Sequence, residues 1–511
     1  MSSTLAKSAV LVTISEIIFN VTSFLVHVVV GRILGPADYG RFGLVVTLTT
    51  MVIILIGNGI PTAMAKYISE IFETRPELVK VIKRQTIILQ SILIGAITVI
   101  FFFSAPLIAK VLGDPTLTPL FRLSTLIIPA FAAASFYFSY YTGLHRFGVQ
   151  SFLKISRSFF RVVFIILLAF FFRVEGSIIG YIAAPLSVFL LAVGIDRFKI
   201  THESRTNKKL IDANVGAENN IRSDLLEFAQ NSRVAFDWRV LVSYAWQVII
   251  FFLAYELLIS IDLYLVKGII QNDYLTGVYN ASLTLGRFPY YLFYALTVIL
   301  LPVVSKTTSQ NNHKDTHKVI SQSLRLMLVL LSPIVVLMSV YSAPLIKMFY
   351  GRNFLEAALP MSILVFGVGF LTIFYVMSFV MNGAGRTKIP MWIASFGLVA
   401  NTILNYLLIK QYGIVGSAIA TSIVSFLIML VMLYFIGKYF GVLVKFGSLV
   451  KIIFASGAMY IASLMLPAES YIFLLWSTLL FVLYLLVLYF LKEVSRNDLD
   501  ILKELVLKKK K

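Results

Sequence analysis

Long apolar runs separated by short polar clusters recur along almost the whole chain. At about 20 residues each, they are long enough for one helix to cross a bilayer core. The pattern predicts an all-α polytopic membrane protein with about 14 transmembrane helices. Their centres fall near Ile18, Ile54, Ile94, Ala132, Ile165, Val188, Tyr255, Leu292, Leu331, Leu371, Ala400, Phe426, Ser456 and Leu480. The first run differs from a plain lipid-facing span, because Glu16, Asn20, Ser23 and His27 fall on one narrow arc at helical spacing. A centred charge costs about 2.5–3.5 kcal/mol in a membrane, so such a stripe marks function, private pairing between helices being the competing reading. The run stops at the stretch from Gly31 to Gly40, whose glycines and Pro36 predict a tight corner.

The spans repeat at an offset of about 240 residues. Glu16, Tyr39 and Lys66 recur as Glu256, Tyr279 and Lys306, and Ser104-Ala105-Pro106-Leu107-Ile108 as Ser342-Ala343-Pro344-Leu345-Ile346. Gly143 and Arg146 recur as Gly383 and Arg386, and Gly176-Ser177 as Gly416-Ser417. Order is kept across six spans, an even number, so both copies enter the membrane from the same side as parallel repeats. The expected organisation is a six-helix bundle over 1–195, a cytoplasmic linker over 196–239 and a second six-helix bundle over 240–440. Transmembrane helices 13 and 14 follow over 441–491, then a basic cytoplasmic tail over 492–511. Residues 66–84 and 305–325 read as helices lying at the membrane interface.

Composition agrees with the pattern. Of 511 residues, 59% are hydrophobic and 13% charged, too little charge to cover a soluble protein of this size. The net charge of +20 would suggest nucleic acid in a soluble chain. Here most of the 44 Lys and Arg sit in loops that share one side, which places both termini in the cytoplasm and calls for no nucleic acid. The first helix reads as a span with no cleavage site behind it. With no cysteine, disulfides and thiolate metal sites are excluded.

Candidate chemistry lies inside the spans. Glu256, Ser260, Leu263 and Lys267 copy the arc of the first span, so the two helices are expected to face a shared cavity. Arg41, Arg122 and Arg287 could meet an anionic group there, because guanidinium binds phosphates through charge-assisted hydrogen bonds. Arg287, deepest in a span, is the first choice. Lys154, Arg157 and Arg161 could point inward too, positive-inside anchoring being the preferred reading; Asn401 and Asn405 are read as helix-bridging groups, and Asp262 as a structural partner. The chain lacks G-x-x-x-x-G-K-[ST] and H-E-x-x-H, shows no clustered histidines, and has no large extramembrane domain. No cofactor, metal or enzymatic activity is expected.

Three stretches carry a family resemblance: Gly31-Arg32-Ile33-Leu34-Gly35-Pro36-Ala37-Asp38-Tyr39-Gly40, Gly59-Ile60-Pro61-Thr62-Ala63 with Lys66-Tyr67, and Asn382-Gly383-Ala384-Gly385-Arg386. Together they resemble the polysaccharide biosynthesis (O-antigen type) flippases of the multidrug/oligosaccharidyl-lipid/polysaccharide exporter superfamily. The resemblance implies two bundles forming a V that opens alternately to each side. It also implies a polyprenyl- or dolichyl-(pyro)phosphate-linked oligosaccharide as cargo, carried across the cytoplasmic membrane. Some members line the cleft with arginines on the first span, where this chain has Glu16, Asn20 and His27. On this reading Arg287, Arg41, Arg122, Lys267, His27 and Asn20 bind the cargo, Glu16 and Glu256 interact with a coupling H⁺ or Na⁺, and the chain works as a monomer. The alternatives are a cation-coupled multidrug exporter and a membrane-embedded glycosyltransferase or polymerase.

Overall fold

The computed structural model describes residues 3–57, 60–72, 76–212, 250–310, 312–442, 444–466 and 471–493. The predicted linker beyond Asp212 and the tail from 494 onward lie outside the described residues. Among the described residues there is no strand. The first part contains α1 (Ser3–Gly57), α2 (Ile60–Ile71), α3 (Pro76–Val111), α4 (Thr118–Ser124), α5 (Ile127–Gly143) and α6 (Phe147–Asp212). Residues 250–258 are helical, followed by α7 (Ile261–Ile270), α8 (Asp273–Gly286), α9 (Phe288–Ser309), α10 (His313–Val340), α11 (Ser342–Phe349) and α12 (Ala358–Gly383). The chain continues with α13 (Lys388–Phe440), α14 (Phe446–Leu464) and α15 (Ile472–Phe490).

Nine helices among the described residues are long and apolar enough to cross a membrane. Run straight, α1, α6 and α13 would measure about 80–100 Å, far beyond a hydrocarbon core of about 30 Å. They do not run straight. The Tyr39 hydroxyl lies 3.3 Å from His27 Nδ1, and Ser417 Oγ donates to Asn405 Oδ1 at 2.6 Å. Either pair would stand about 18 Å apart on an unbroken helix. The chain doubles back at Gly35 (φ 76°), at Phe172–Arg173 (Arg173 φ 50°) and at Gly413 (φ 57°). Glycine adopts positive φ without a Cβ clash, and Pro36 sets the dihedral that restarts the second arm of α1. Arg173 has no such freedom. Its side chain is bound by the neighbouring corner, with Nη2 donating to Leu34 O at 2.8 Å and Nε to Asp38 Oδ2 at 2.9 Å.

The expected corner from Gly31 to Gly40 therefore contracts to one residue. Gly31 and Gly40 are helical, and Gly40 instead permits close packing, since a Cβ there would sit 2.7 Å from Asp273 O and from Gly277 N. The stretches expected as interface helices, 66–84 and 305–325, fall on the end of α2 and the start of α3, and on the end of α9 and the start of α10. Several backbone events recur about 240 residues apart, at the spacing of the sequence repeat. Positive φ recurs at His145 and Gly385 and at Gly113 and Gly351. A Cβ on Gly176 would lie 2.0 Å from Leu168 O, and one on Gly416 2.1 Å from Leu408 O.

The apolar core is shared at one end and divided at the other. Near the corners, Val26, Val30, Tyr39 and Phe42 of α1 pack in one cluster with Leu263, Val266, Tyr279, Tyr350 and Phe354. Away from the corners, Met64, Ile68, Tyr141 and Val188 form one cluster, while Tyr255, Met327, Phe374 and Met432 form another. The two parts thus meet at the corner end and have separate cores beyond it. Helices α14 and α15 join α10 in a further cluster, where the Tyr484 hydroxyl donates to Val329 O at 2.9 Å.

Candidate functional site: a charged cavity between two bundles

Where the two cores part, a cavity of about 580 Å³ opens between α1, α5 and α6 on one side and residues 252–260, α8, α9 and α12 on the other. Glu16, Asn20, Ser23 and His27 all line it, as do Glu256, Ser260 and Arg287. Helical spacing on α1 brings its four polar residues to one wall, with Glu16 toward the far end and His27 toward the corner. Glu16 forms an ion pair with Lys154 of α6.

The arc on the equivalent span does not hold. The helix breaks at 259–260 and restarts at Ile261, so the register of 100° per residue is lost there. The break frees carbonyl groups, and these are satisfied from other helices: Arg287 Nη2 donates to Ile259 O at 2.5 Å, and Asn401 Nδ2 to Leu258 O at 3.2 Å. Arg287 also lies 3.3 Å from Ser260 Oγ. Asn405 donates to Asn401 O at 2.9 Å within its own helical arm and accepts from Ser417 across the reversal at Gly413, so with the Asn401–Leu258 contact these two asparagines bridge helices. Asp262 is fully buried and accepts from the Tyr279 hydroxyl at 2.9 Å and from Leu263 N at 2.8 Å.

Three of the expected binding residues lie elsewhere. Lys267, 3% exposed, sits at the corner end between Asp114 and Asp273, its Nζ 2.9 Å from Asp114 Oδ2. Partial burial raises the Asp114 carboxyl, but hydrogen bonds from Thr116 and Lys267 and the Lys267 charge hold it below its usual value. Arg41 donates to the Thr116 hydroxyl. Arg122 is exposed, its guanidinium 5.1 Å from the centre of the Phe102 ring. None of the three lines the cavity.

The corner end is closed by contacts from one part of the chain to the other. Arg32 donates to the carbonyls of Met348 and Phe349, which the C-terminus of α11 leaves free. The Tyr39 hydroxyl lies 3.1 Å from that of Tyr350 and 3.2 Å from Thr284 Oγ1, and Asn280 Nδ2 donates to Tyr39 O at 3.3 Å.

Sequence reasoning assigned Lys154, Arg157 and Arg161 to anchoring, yet all three line the cavity. Their spacing of i, i+3 and i+7 puts them on one face of α6, the same signal that singled out the α1 stripe. Arg161 Nη2 donates to Phe19 O at 2.9 Å and lies 3.3 Å from Thr22 Oγ1. Arg157 stacks on aromatic rings instead, 4.4 Å from the centre of Phe19. Counted by charge, the wall carries Lys154, Arg157, Arg161 and Arg287 against Glu16 and Glu256. Among the described residues no cluster could hold a metal ion.

Comparison with known proteins gives two family matches: residues 5–308 match the polysaccharide biosynthesis protein family, and residues 247–407 match the MatE family. An uncharacterised membrane protein of Methanocaldococcus jannaschii, MJ1375, is 25% identical over 439 residues, covering 84% of this chain and 96% of its own. Lipid II flippase MurJ of Bacillus subtilis is 29% identical over 142 residues, 27% of this chain and 26% of that protein. Among solved structures, lipid II flippase MurJ in an inward closed conformation superposes with a TM-score of 0.72 at 16% identity. That match covers 96% of this chain and 99% of the MurJ chain.

Proposed function

The chain belongs to the polysaccharide biosynthesis protein family, and from that premise we propose that it is a flippase. Its cargo on this reading is a polyprenyl- or dolichyl-(pyro)phosphate-linked oligosaccharide, moved across the cytoplasmic membrane by alternating access for polysaccharide or glycoconjugate biosynthesis. The observation that carries this is the charge of the cavity: four cationic side chains against two carboxylates, one of them already paired with Lys154. Such a wall attracts a phosphate or pyrophosphate and disfavours an organic cation. The name of the B. subtilis relative, a lipid II flippase, supports the same class of cargo.

The divided core supplies the mechanics. Two bundles joined at the corner end and parted beyond it form a V around the cavity, the geometry that rocking of two halves requires. With both termini in the cytoplasm, the closed corner end faces outward and the cargo enters from the cytoplasmic side. Outward opening would then break the Lys267–Asp114 pair and the contacts of Tyr39. Arg287, Asn20 and His27 stay at the cargo site, joined by Arg157 and Arg161. Arg41 and Lys267, by contrast, serve the corner end, and Arg122 stays exposed against Phe102. Glu16 and Glu256 interact with a coupling H⁺ or Na⁺, and the chain works as a monomer of about 14 spans.

One observation favours a second reading, a cation-coupled multidrug exporter: the match to the MatE family over 247–407. Deletion of the gene separates these. A flippase leaves lipid-linked oligosaccharide accumulating in the cytoplasmic leaflet. A drug exporter leaves it undisturbed and raises drug sensitivity, and lost polymer with no accumulating precursor indicates a glycosyltransferase or polymerase.

A further inference from the structure

Four cations line the cavity, but they differ in what their donors already do. A guanidinium carries five N–H donors, and inside a membrane protein each donor left without a partner is costly. Arg287 is engaged with the carbonyl of Ile259 and the hydroxyl of Ser260, where the helix breaks. Arg161 is engaged with Phe19 O and Thr22 Oγ1. Lys154 is paired with Glu16. Arg157 makes no hydrogen bond or ion pair among the described residues, although it is 9% exposed and lines the cavity. Its guanidinium lies 4.4, 5.0 and 5.1 Å from the ring centres of Phe19, Phe131 and Phe138.

Rings on this scale stabilise the charge and fix the plane of the group, yet they use none of its N–H donors. Glu16 attracts Arg157 through space, but its ion pair is with Lys154 and it makes no hydrogen bond to Arg157. The result is a buried, oriented and unspent cation facing the cavity, an arrangement that a ligand with paired anionic oxygens completes. Resting on the flippase reading of this cavity, we propose that Arg157 is the residue that receives the phosphate ester of the cargo, while Arg287 braces the broken helix. Arg157 offers a planar fork for a bidentate phosphate contact; a lysine at this position offers a point charge and no stacking face. The three phenyl groups keep the fork directed into the cavity while it is empty.

The test uses the purified full chain and three probes: farnesyl phosphate, farnesol and inorganic phosphate. The wild type is expected to prefer farnesyl phosphate over farnesol by roughly tenfold or more, and over inorganic phosphate as well. Arg157→Gln and Arg157→Lys should each abolish that preference with no loss of melting temperature. Arg287→Gln should lower the melting temperature, and Arg122→Gln should change neither quantity. If both Arg157 variants keep the preference, or lose it only with loss of the fold while Phe131→Leu and Phe138→Leu leave it intact, the assignment to Arg157 fails. The flippase reading survives that outcome, because the wild type still selects the phosphate. A wild type that binds farnesol as well as farnesyl phosphate overturns both. Inorganic phosphate bound as tightly as the prenyl phosphate would make this a site for free phosphate and would equally overturn the proposal.

Discussion

At the corner end Lys267 stands between Asp114 and Asp273, Arg32 caps the carbonyls of α11, and Arg41 reaches the Thr116 hydroxyl. In the cavity Arg157 has three phenyl rings and no hydrogen-bond acceptor among the described residues. Lys267 and Arg157 are both buried cations, and the difference lies in who completes them. Lys267 meets Asp114, and Arg32 the carbonyls of Met348 and Phe349, from opposite parts of the chain, so charge there holds the two parts together. At Arg157 the partner is left to come from outside, so charge there selects what enters.

The contrast can be broken most sharply at Lys267. Lys267→Met leaves the Asp114 and Asp273 carboxylates facing each other without their cation, a loss of about 3–5 kcal/mol to the closed arrangement. Because the chain has no cysteine, a single Thr284→Cys reports on it directly: its labelling from the outer side should rise in the Lys267→Met background. Next in size is Gly277→Ala on α8, where a Cβ would sit 1.7 Å from Pro36 O. It should cost the closed corner about 1–3 kcal/mol and raise the same labelling without altering farnesyl phosphate binding. Arg287→Met should lower the melting temperature by an amount equivalent to about 1–3 kcal/mol, since the carbonyl of Ile259 loses its donor. Arg157→Met should leave the empty protein as stable as the wild type or more so, because an uncompensated buried charge is removed.

The smallest effect expected is that of pH on the corner. With the Asp114 value lowered in the folded chain, its pairing is at full strength at neutral pH and is lost as pH falls through that lowered value. Relative to a freely exposed thiol, whose labelling falls with its thiolate fraction, labelling of Thr284→Cys should therefore stay flat from neutral to mildly acidic pH and rise only in stronger acid.

Much of this architecture is legible in the sequence, for reasons that also mark where it stops. The α1 stripe could be read because 100° per residue holds on an unbroken helix, and all four of its residues line the cavity. The same arithmetic placed Lys267 beside the cargo, and it fails because the helix breaks at 259–260. Nothing in the residues around Ser260 announces that break; it is sustained by Arg287 and Asn401, which are distant in the chain. Gly35-Pro36 declares its corner, but Arg173 turns the chain with a side chain bound to Leu34 and Asp38, an arrangement that only tertiary contact explains. Arg157 and Arg161 were passed over because basic residues near a span end usually anchor it. Their common face with Lys154 was visible, but the phenyl cage that turns Arg157 inward draws on α1 and α5.

Carriage of an anionic lipid-linked saccharide from one leaflet to the other can be followed in vesicles. The most direct measurement reconstitutes the purified chain in vesicles containing a polyprenyl diphosphate-linked oligosaccharide, and follows with time how much of the sugar an external glycosidase can reach. Accessibility should rise well above that of protein-free vesicles, and fall back toward that baseline with Arg157→Gln. Accessibility equal to that of protein-free vesicles, in preparations that drive export of a cationic drug, would contradict it.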